Sequence, residues 1–188
     1  MFLDRDGVLV RERDYLRDPS QLSLLPGVPR ALKALRAAGL TLVVVTNQSG
    51  VARGYFSLAT LGRIHRELKR RLAAKGARWD ALYFSPHGPD SAHPWRKPGI
   101  GMLEAARKRF GLDLKSSYFV GDTSVDVQTA RNAGCVPVLV RTGKAGRDGK
   151  HPKAKPDKVC RDLAAAARWI EARERPAPAR PARRGKKV

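Results

Sequence analysis

The chain has little cysteine, few aromatic side chains, a shortage of acidic residues and no long apolar run. Each shortage excludes something. Cys135 and Cys160 cannot build a disulfide framework, and they do not have the spacing of a metal-binding pair. Such usage fits a reducing compartment, and the expected location is the cytoplasm. Aromatics make up 6% of the residues, too few for the aromatic-lined basic groove that grips single-stranded nucleic acid. No stretch approaches the roughly 18 apolar residues that suggest a membrane helix. Asp4, Arg5 and Asp6 stand where a signal peptide needs its apolar core. A soluble protein without a membrane partner is expected, and no internal repeat is visible.

Acidic residues number 17 against 38 Lys plus Arg, a net charge of +21. Such a field attracts polyanions, and it attracts small phosphorylated molecules too; solubility alone is the competing explanation. The charge is uneven along the chain. Residues 174–188 are rich in Pro, Ala and Arg without apolar periodicity, which predicts a disordered basic tail. Residues 1–173 are then one domain, expected to be a monomer. Nucleic acid binding through the tail stays open but is not favoured. A second basic cluster, residues 141–156, reads as a solvated loop.

What is present is an alternation of strand and helix patterns. The run LTLVVVT, residues 40–46, suits a strand buried on both faces. Shorter candidates lie at residues 81–85, 117–121 and 135–140, with the end of another at Met1, Phe2 and Leu3. Leu58, Leu61, Ile64, Leu68 and Leu72 form one apolar stripe at helical spacing, opened by Ser57 as N-cap. Further helices are predicted over residues 26–38, 99–110, 125–133 and 157–170. Strand and helix in turn predict an α/β fold, a three-layer Rossmann-like parallel sheet.

The polar clusters fall at the C-terminal ends of these strands, where an open α/β sheet binds its ligands. DRDG (Asp4 to Gly7) follows the first, TNQSG (Thr46 to Gly50) the second and GDTSVD (Gly121 to Asp126) the fourth. Asp4 and Asp6 are either an active-site pair or an Asp-rich turn. Thr46 and Asn47 can donate to phosphate oxygens or merely cap a helix. Asp4 and Asp122 can hold Mg²⁺, while Asp122 and Asp126 can also simply favour a helix N-terminus. Arg96 and Lys97, after the third strand, bring the positive charge that crowded carboxylates and a phosphate would need.

In this order the motifs resemble those of the haloacid dehalogenase superfamily of phosphohydrolases, over roughly residues 1–170. Within it, DRDGVLV, TNQSGVARG, RKPGIGM and VGDTSVDVQTARNAGC are similar to the D-glycero-D-manno-heptose-1,7-bisphosphate phosphatases and the related histidinol-phosphatases. The resemblance implies sheet order 5-4-1-2-3, no large cap domain, and carbohydrate metabolism as the setting. It implies Asp4 as nucleophile, Asp6 as general acid and base, and Thr46 and Lys97 as stabilisers of the transferred phosphoryl group. Mg²⁺ would be held by Asp4, the Asp6 main-chain carbonyl and Asp122, with Asp126 acting through its neighbours. Asn47, Gln48, Ser49, Arg53 and Arg96 are the expected substrate contacts.

Two departures stand out. Members commonly carry a zinc loop with a C-x-H pair and then a C-x-C pair before RKP. Here Ser85, His93 and Trp95 occupy the cysteine positions and only His87 is kept, so no structural Zn²⁺ is expected. Pro86, Pro89, Pro94 and Trp95 are expected to pack the loop instead. Only three residues precede Asp4, which leaves an upstream start open. The expected substrate is a sugar bisphosphate, its second phosphate held by Arg53 and Arg96. The alternatives are histidinol phosphate, a polynucleotide 3′-phosphate, or a non-enzymatic module that binds an anionic partner.

Overall fold

The computed structural model describes residues 1–174. Six strands form one parallel sheet: β1 Phe2–Leu3, β2 Val43–Asn47, β3 Ala81–Ser85, β4 Tyr118–Gly121, β5 Val136–Val140 and β6 Lys158–Cys160. Their spatial order is β3-β2-β1-β4-β5-β6. The expected order 5-4-1-2-3 is contained in it, with β6 added beyond β5. Four α-helices connect successive strands from β1 to β5, α1 Val28–Ala37, α2 Leu58–Ala73, α3 Gly101–Phe110 and α4 Ser124–Ala133, and a fifth, α5 Leu163–Glu174, follows β6. Among the described residues no insert builds a cap domain, and no helix is long and apolar enough to cross a membrane.

Period-two alternation sorts the strand side chains between two apolar layers. Leu3, Val44, Val120 and Val138 face one cluster with Leu32 and Leu35 of α1, Ile64 and Leu68 of α2, and Ile170 of α5. Phe2, Val43, Val45 and Phe119 face the other with Met102, Leu103 and Ala106 of α3 and Ala130 of α4. β1 lies between β2 and β4 with Phe2 and Leu3 fully buried, so the loop that leaves it starts from the middle of the sheet.

Three expectations need correction. The helix predicted over residues 157–170 is a short edge strand followed by a helix: Lys158–Cys160 pairs with β5, and α5 starts only at Leu163. The tail predicted over residues 174–188 overlaps a helix at its first residue. Glu174 ends α5 and accepts a hydrogen bond from the Tyr118 hydroxyl at 2.6 Å. The remainder, residues 175–188, lies outside the described residues. The stripe on α2 is also shorter than its periodicity suggests. Leu61, Ile64, Leu68 and Leu72 are fully buried, but Leu58, in the first turn, is 55% exposed. Ser57 caps the helix as expected, accepting the Thr60 N–H at 3.1 Å.

Leu68→Ala should therefore cost about 2–5 kcal/mol of stability, whereas Leu58→Ala should change it by no more than about 0.5 kcal/mol. Urea denaturation of the two variants measures the difference; equal losses would contradict the assigned face of α2.

Candidate active site

The sheet delivers Asp4 directly to the site. Its N–H donates to the Val120 carbonyl at 2.9 Å, so the ladder runs up to the carboxylate. The chain then turns back, Leu9 N–H donating to Arg5 O at 2.9 Å and Gly7 N–H to Val10 O at 2.8 Å. The turn requires glycine at position 7, where φ is +72° and a Cβ would stand 2.4 Å from Asp122 Cγ. Gly143, with φ +71°, approaches the same side chain from the loop after β5, and a Cβ there would lie 2.2 Å from Asp122 Oδ2. Asp122 is thus enclosed by two stretches of bare backbone.

Asp126 belongs to the start of α4. Its Oδ2 accepts from the Thr123 N–H and hydroxyl at 3.1 and 2.6 Å, and Thr123 Oγ1 accepts the Asp126 N–H, closing a capping box. The helix-start reading of Asp126 is thereby realised, yet its other oxygen does more. Oδ1 accepts from Lys97 Nζ at 2.6 Å, and the same ammonium reaches Asp4 Oδ1 at 3.1 Å and Val45 O at 3.3 Å. Lys97 is 4% exposed. Burial works against its charge, but Asp126 and Asp4 outweigh that and hold its pKa above the ordinary lysine value. Asn47 fixes the Lys97 backbone from β2, its Oδ1 accepting the Lys97 N–H at 3.0 Å and its Nδ2 donating to Lys97 O at 3.1 Å.

Positive charge is in short supply here. Asp4, Asp122 and Asp126 can each offer an oxygen such that all three lie within 4.8 Å of one another. Burial pushes Asp4 up to about 7, with Lys97 pulling it down and Asp126 and Asp6 pushing it further up. Burial likewise raises Asp122 to about 9, helped by Asp126 and Asp4. Asp122 Oδ2 accepts the Lys144 N–H at 2.7 Å, whereas Oδ1 is buried with no hydrogen-bond partner among the described residues. The Asp6 carbonyl also accepts no main-chain hydrogen bond among the described residues. A cluster of hard oxygens with an orphaned acceptor and excess negative charge fits a divalent cation such as Mg²⁺.

Asp6 is held differently from the general acid that the motif suggests. Arg5 Nη2 donates to both of its oxygens at 2.9 and 2.7 Å, Arg5 Nε to Oδ1 at 3.2 Å, and Gln48 Nε2 to Oδ2 at 2.9 Å. Arg5 is 1% exposed and continues to Gln48 Oε1 at 2.9 Å and His65 Nε2 at 3.1 Å. Burial, and then the Arg5 cation, lower His65 to about 3, so its ring is neutral and Nε2 is the acceptor. The sequence reading missed Arg5 and His65. It placed Gln48 among the substrate contacts, but that amide is occupied by Arg5, Asp6 and Thr46. Thr46 Oγ1 accepts from Gln48 Nε2 at 3.0 Å, which leaves the Thr46 proton free to donate.

A cleft of about 470 Å³ opens over these groups and is also lined by Ser49, Arg53, Arg96 and Glu12. Burial raises Glu12 to about 7, with Asp6 adding to the effect. Arg96 is anchored to the loop before it, donating to His87 O at 2.9 Å and Pro89 O at 3.3 Å. In that loop the His87 and His93 rings stack at 3.8 Å, and Trp95 sits edge-on to Tyr83 at 5.9 Å.

Comparison with known proteins agrees with this geometry. Residues 1–61 match the haloacid dehalogenase-like hydrolase family, and residues 94–166 match a second family described as HAD-hydrolase-like. A D-glycero-D-manno-heptose-1,7-bisphosphate 7-phosphatase of Thermosynechococcus vestitus is 43% identical over 187 residues, covering 90% of this chain and 94% of the relative. The D-glycero-beta-D-manno-heptose-1,7-bisphosphate 7-phosphatase of Bordetella bronchiseptica is 43% identical over 173 residues, covering 90% and 96%. The crystal structure of the D,D-heptose 1,7-bisphosphate phosphatase from B. bronchiseptica, complexed with magnesium and phosphate, superposes with a TM-score of 0.83 at 42% identity, covering 92% of this chain and 98% of that one. With relatives of this identity aligned over 90% of its length, the chain belongs to the heptose-1,7-bisphosphate 7-phosphatase branch of the haloacid dehalogenase-like hydrolases.

Proposed function

We propose that the chain is a Mg²⁺-dependent phosphomonoester hydrolase that removes the 7-phosphate of D-glycero-D-manno-heptose 1,7-bisphosphate through an aspartyl-phosphate on Asp4. The observation that carries this reading is the buried carboxylate cluster at the β1 mouth, with Lys97 on Asp4 and an orphaned oxygen on Asp122. The names of the relatives support the substrate.

Asp4 attacks phosphorus. An Asp4 oxygen–phosphorus bond forms as the bond to the sugar oxygen breaks, and Asp6 protonates the departing alkoxide. Water then attacks the phosphoryl group, Asp6 takes its proton, and the bond to Asp4 breaks to release phosphate. The Arg5 N–H, 2.7 Å from Asp4 Oδ1, and Lys97 hold the nucleophile in one rotation. Lys97 and the Thr46 hydroxyl stabilise charge on the transferred group. Asp126 acts on the reaction only through Lys97 and α4. Both Asp6 oxygens accept hydrogen bonds from Arg5, so exchanging a proton with the substrate or with water requires Asp6 to turn an oxygen out of that fork. The cation, held by Asp4, Asp122 and the Asp6 carbonyl, would neutralise the carboxylates and polarise the phosphate. Arg53 and Arg96 contact the remaining phosphate. Burial, and the nearby Arg53 cation, lower the Arg96 pKa against the opposing effects of Asp90 and Tyr15, and an anion between the two arginines would relieve their repulsion.

Asp4→Asn should lower turnover by more than about a thousandfold with the circular dichroism spectrum unchanged. Wild-type turnover in that variant would refute the nucleophile. Chelation should abolish activity and Mg²⁺ restore it, while metal analysis of the purified protein should show no stoichiometric zinc; one tightly bound Zn²⁺ per chain would overturn the reading of residues 85–95. The substrate is tested by phosphate release from the heptose bisphosphate, histidinol phosphate and a 3′-phosphorylated oligonucleotide at physiological salt. The bisphosphate should give the highest kcat/KM, and preference for either of the others would displace it.

A further inference from the structure

The basic loop between β5 and β6 looks like solvated surface in the sequence, but the fold ties it to the site. Lys144 N–H donates to Asp122 Oδ2 and Gly146 N–H to Asp122 O, each at 2.7 Å. Asp148 then bends the loop onto the start of α4. Its Oδ1 accepts the Ser124 N–H at 2.6 Å, its Oδ2 accepts the Ser124 hydroxyl at 2.9 Å, and the His151 N–H donates to Ser124 Oγ at 2.9 Å. Ser124 is the first residue of α4, so its N–H lacks a partner within the helix, and the helix dipole favours a carboxylate there. Arg147 and Lys150 are close in sequence, yet Asp148 forms no ion pair among the described residues. Both of its oxygens serve Ser124.

What this attachment positions is positive charge. Lys144 and Lys150 line the same cleft as Asp4, and Lys150 also lines an adjoining recess of about 170 Å³ together with Arg96 and Ser91. Neither lysine, nor Arg53, has a carboxylate within ion-pair distance among the described residues. Cations gathered at one mouth repel each other unless an anion joins them. The reacting phosphate already has Lys97 and Thr46 at the floor of the cleft. The anion left for the rim is the phosphate that stays on the sugar.

We propose that Asp148 is a positioning residue that fixes the 144–151 loop on α4 so that Lys150 meets the phosphate that is not hydrolysed. This makes Lys150 a determinant of bisphosphate over monophosphate. The inference rests on the bisphosphatase reading above, and the experiment separates the two. kcat and KM are measured on heptose 1,7-bisphosphate and on heptose 7-phosphate for the unaltered protein and for Asp148→Ala, Asp148→Asn, Lys150→Ala and Lys153→Ala. The ratio of kcat/KM for the bisphosphate to that for the monophosphate should fall about tenfold in Asp148→Ala and in Lys150→Ala, mainly through a higher bisphosphate KM. Asp148→Asn keeps an oxygen for the Ser124 N–H and should recover most of the ratio. Lys153→Ala, on the same loop but away from the cleft, should leave it unchanged. An unchanged ratio in Lys150→Ala, or an equal loss on both substrates in Asp148→Ala, would overturn the inference while leaving the bisphosphatase reading in place. An unaltered protein that does not hydrolyse the bisphosphate would overturn both.

Discussion

Lys97 Nζ lies 2.6 Å from Asp126 and 3.1 Å from Asp4, and Asp122 joins them with no ion pair of its own, so among the described residues one buried ammonium serves three buried carboxylates. Like charges at this separation in a desolvated site repel by several kcal/mol in order of magnitude. The local fold is arranged around that constraint. β1 occupies the centre of the sheet and carries Asp4 to its edge, α4 ties down Asp126 through its own cap, and Asn47 clamps the Lys97 backbone to β2. The glycines at 7 and 143 let two loops close on Asp122 without a side chain between them.

A second network stands beside the first. Arg5 is wholly buried, and it joins Asp6, Gln48 and a neutral His65. Its position explains why a basic residue interrupts the two aspartates: with an uncharged side chain there, Asp6 would add another uncompensated charge to the Asp4 cluster. In the proposed mechanism the two networks divide the chemistry, with Asp4 as nucleophile fixed by Lys97 and Asp6 as proton carrier fixed by Arg5.

Most of the site was legible because topology places it. A parallel sheet brings the C-terminal ends of its strands together, so Asp4, Thr46 and Asp122 could be grouped from strand patterns alone. Lys97 was placed by charge balance with the carboxylate and phosphate-donor loops, since an Arg-Lys pair in a chain this basic otherwise reads as surface. Arg5 and His65 were missed because contacts across the fold, of Arg5 with Gln48 and with His65, place this cation and this imidazole in the interior, and no local pattern marks them. β6 was missed because Lys158–Cys160 is a short edge strand with its middle residue, Val159, exposed, and so it carries no run or alternation to detect. Leu58 fits the helical period but extends past the surface that α2 covers. Asp148 lay within a basic segment, and nothing in its neighbours marks Ser124 as its partner.

The central claim is that the site is short of positive charge and that a divalent cation supplies it. The most direct test is thermal unfolding of the unaltered protein and of Asp122→Asn as Mg²⁺ is titrated. A cation that binds only the folded chain should raise the unaltered protein's Tm saturably, by the equivalent of about 2.7 kcal/mol at a hundred times its Kd. Asp122→Asn should start from a higher Tm without metal, having lost one crowded carboxylate, and should respond little to Mg²⁺. A Tm indifferent to Mg²⁺ in the unaltered protein, or an undiminished response in Asp122→Asn, would contradict the account.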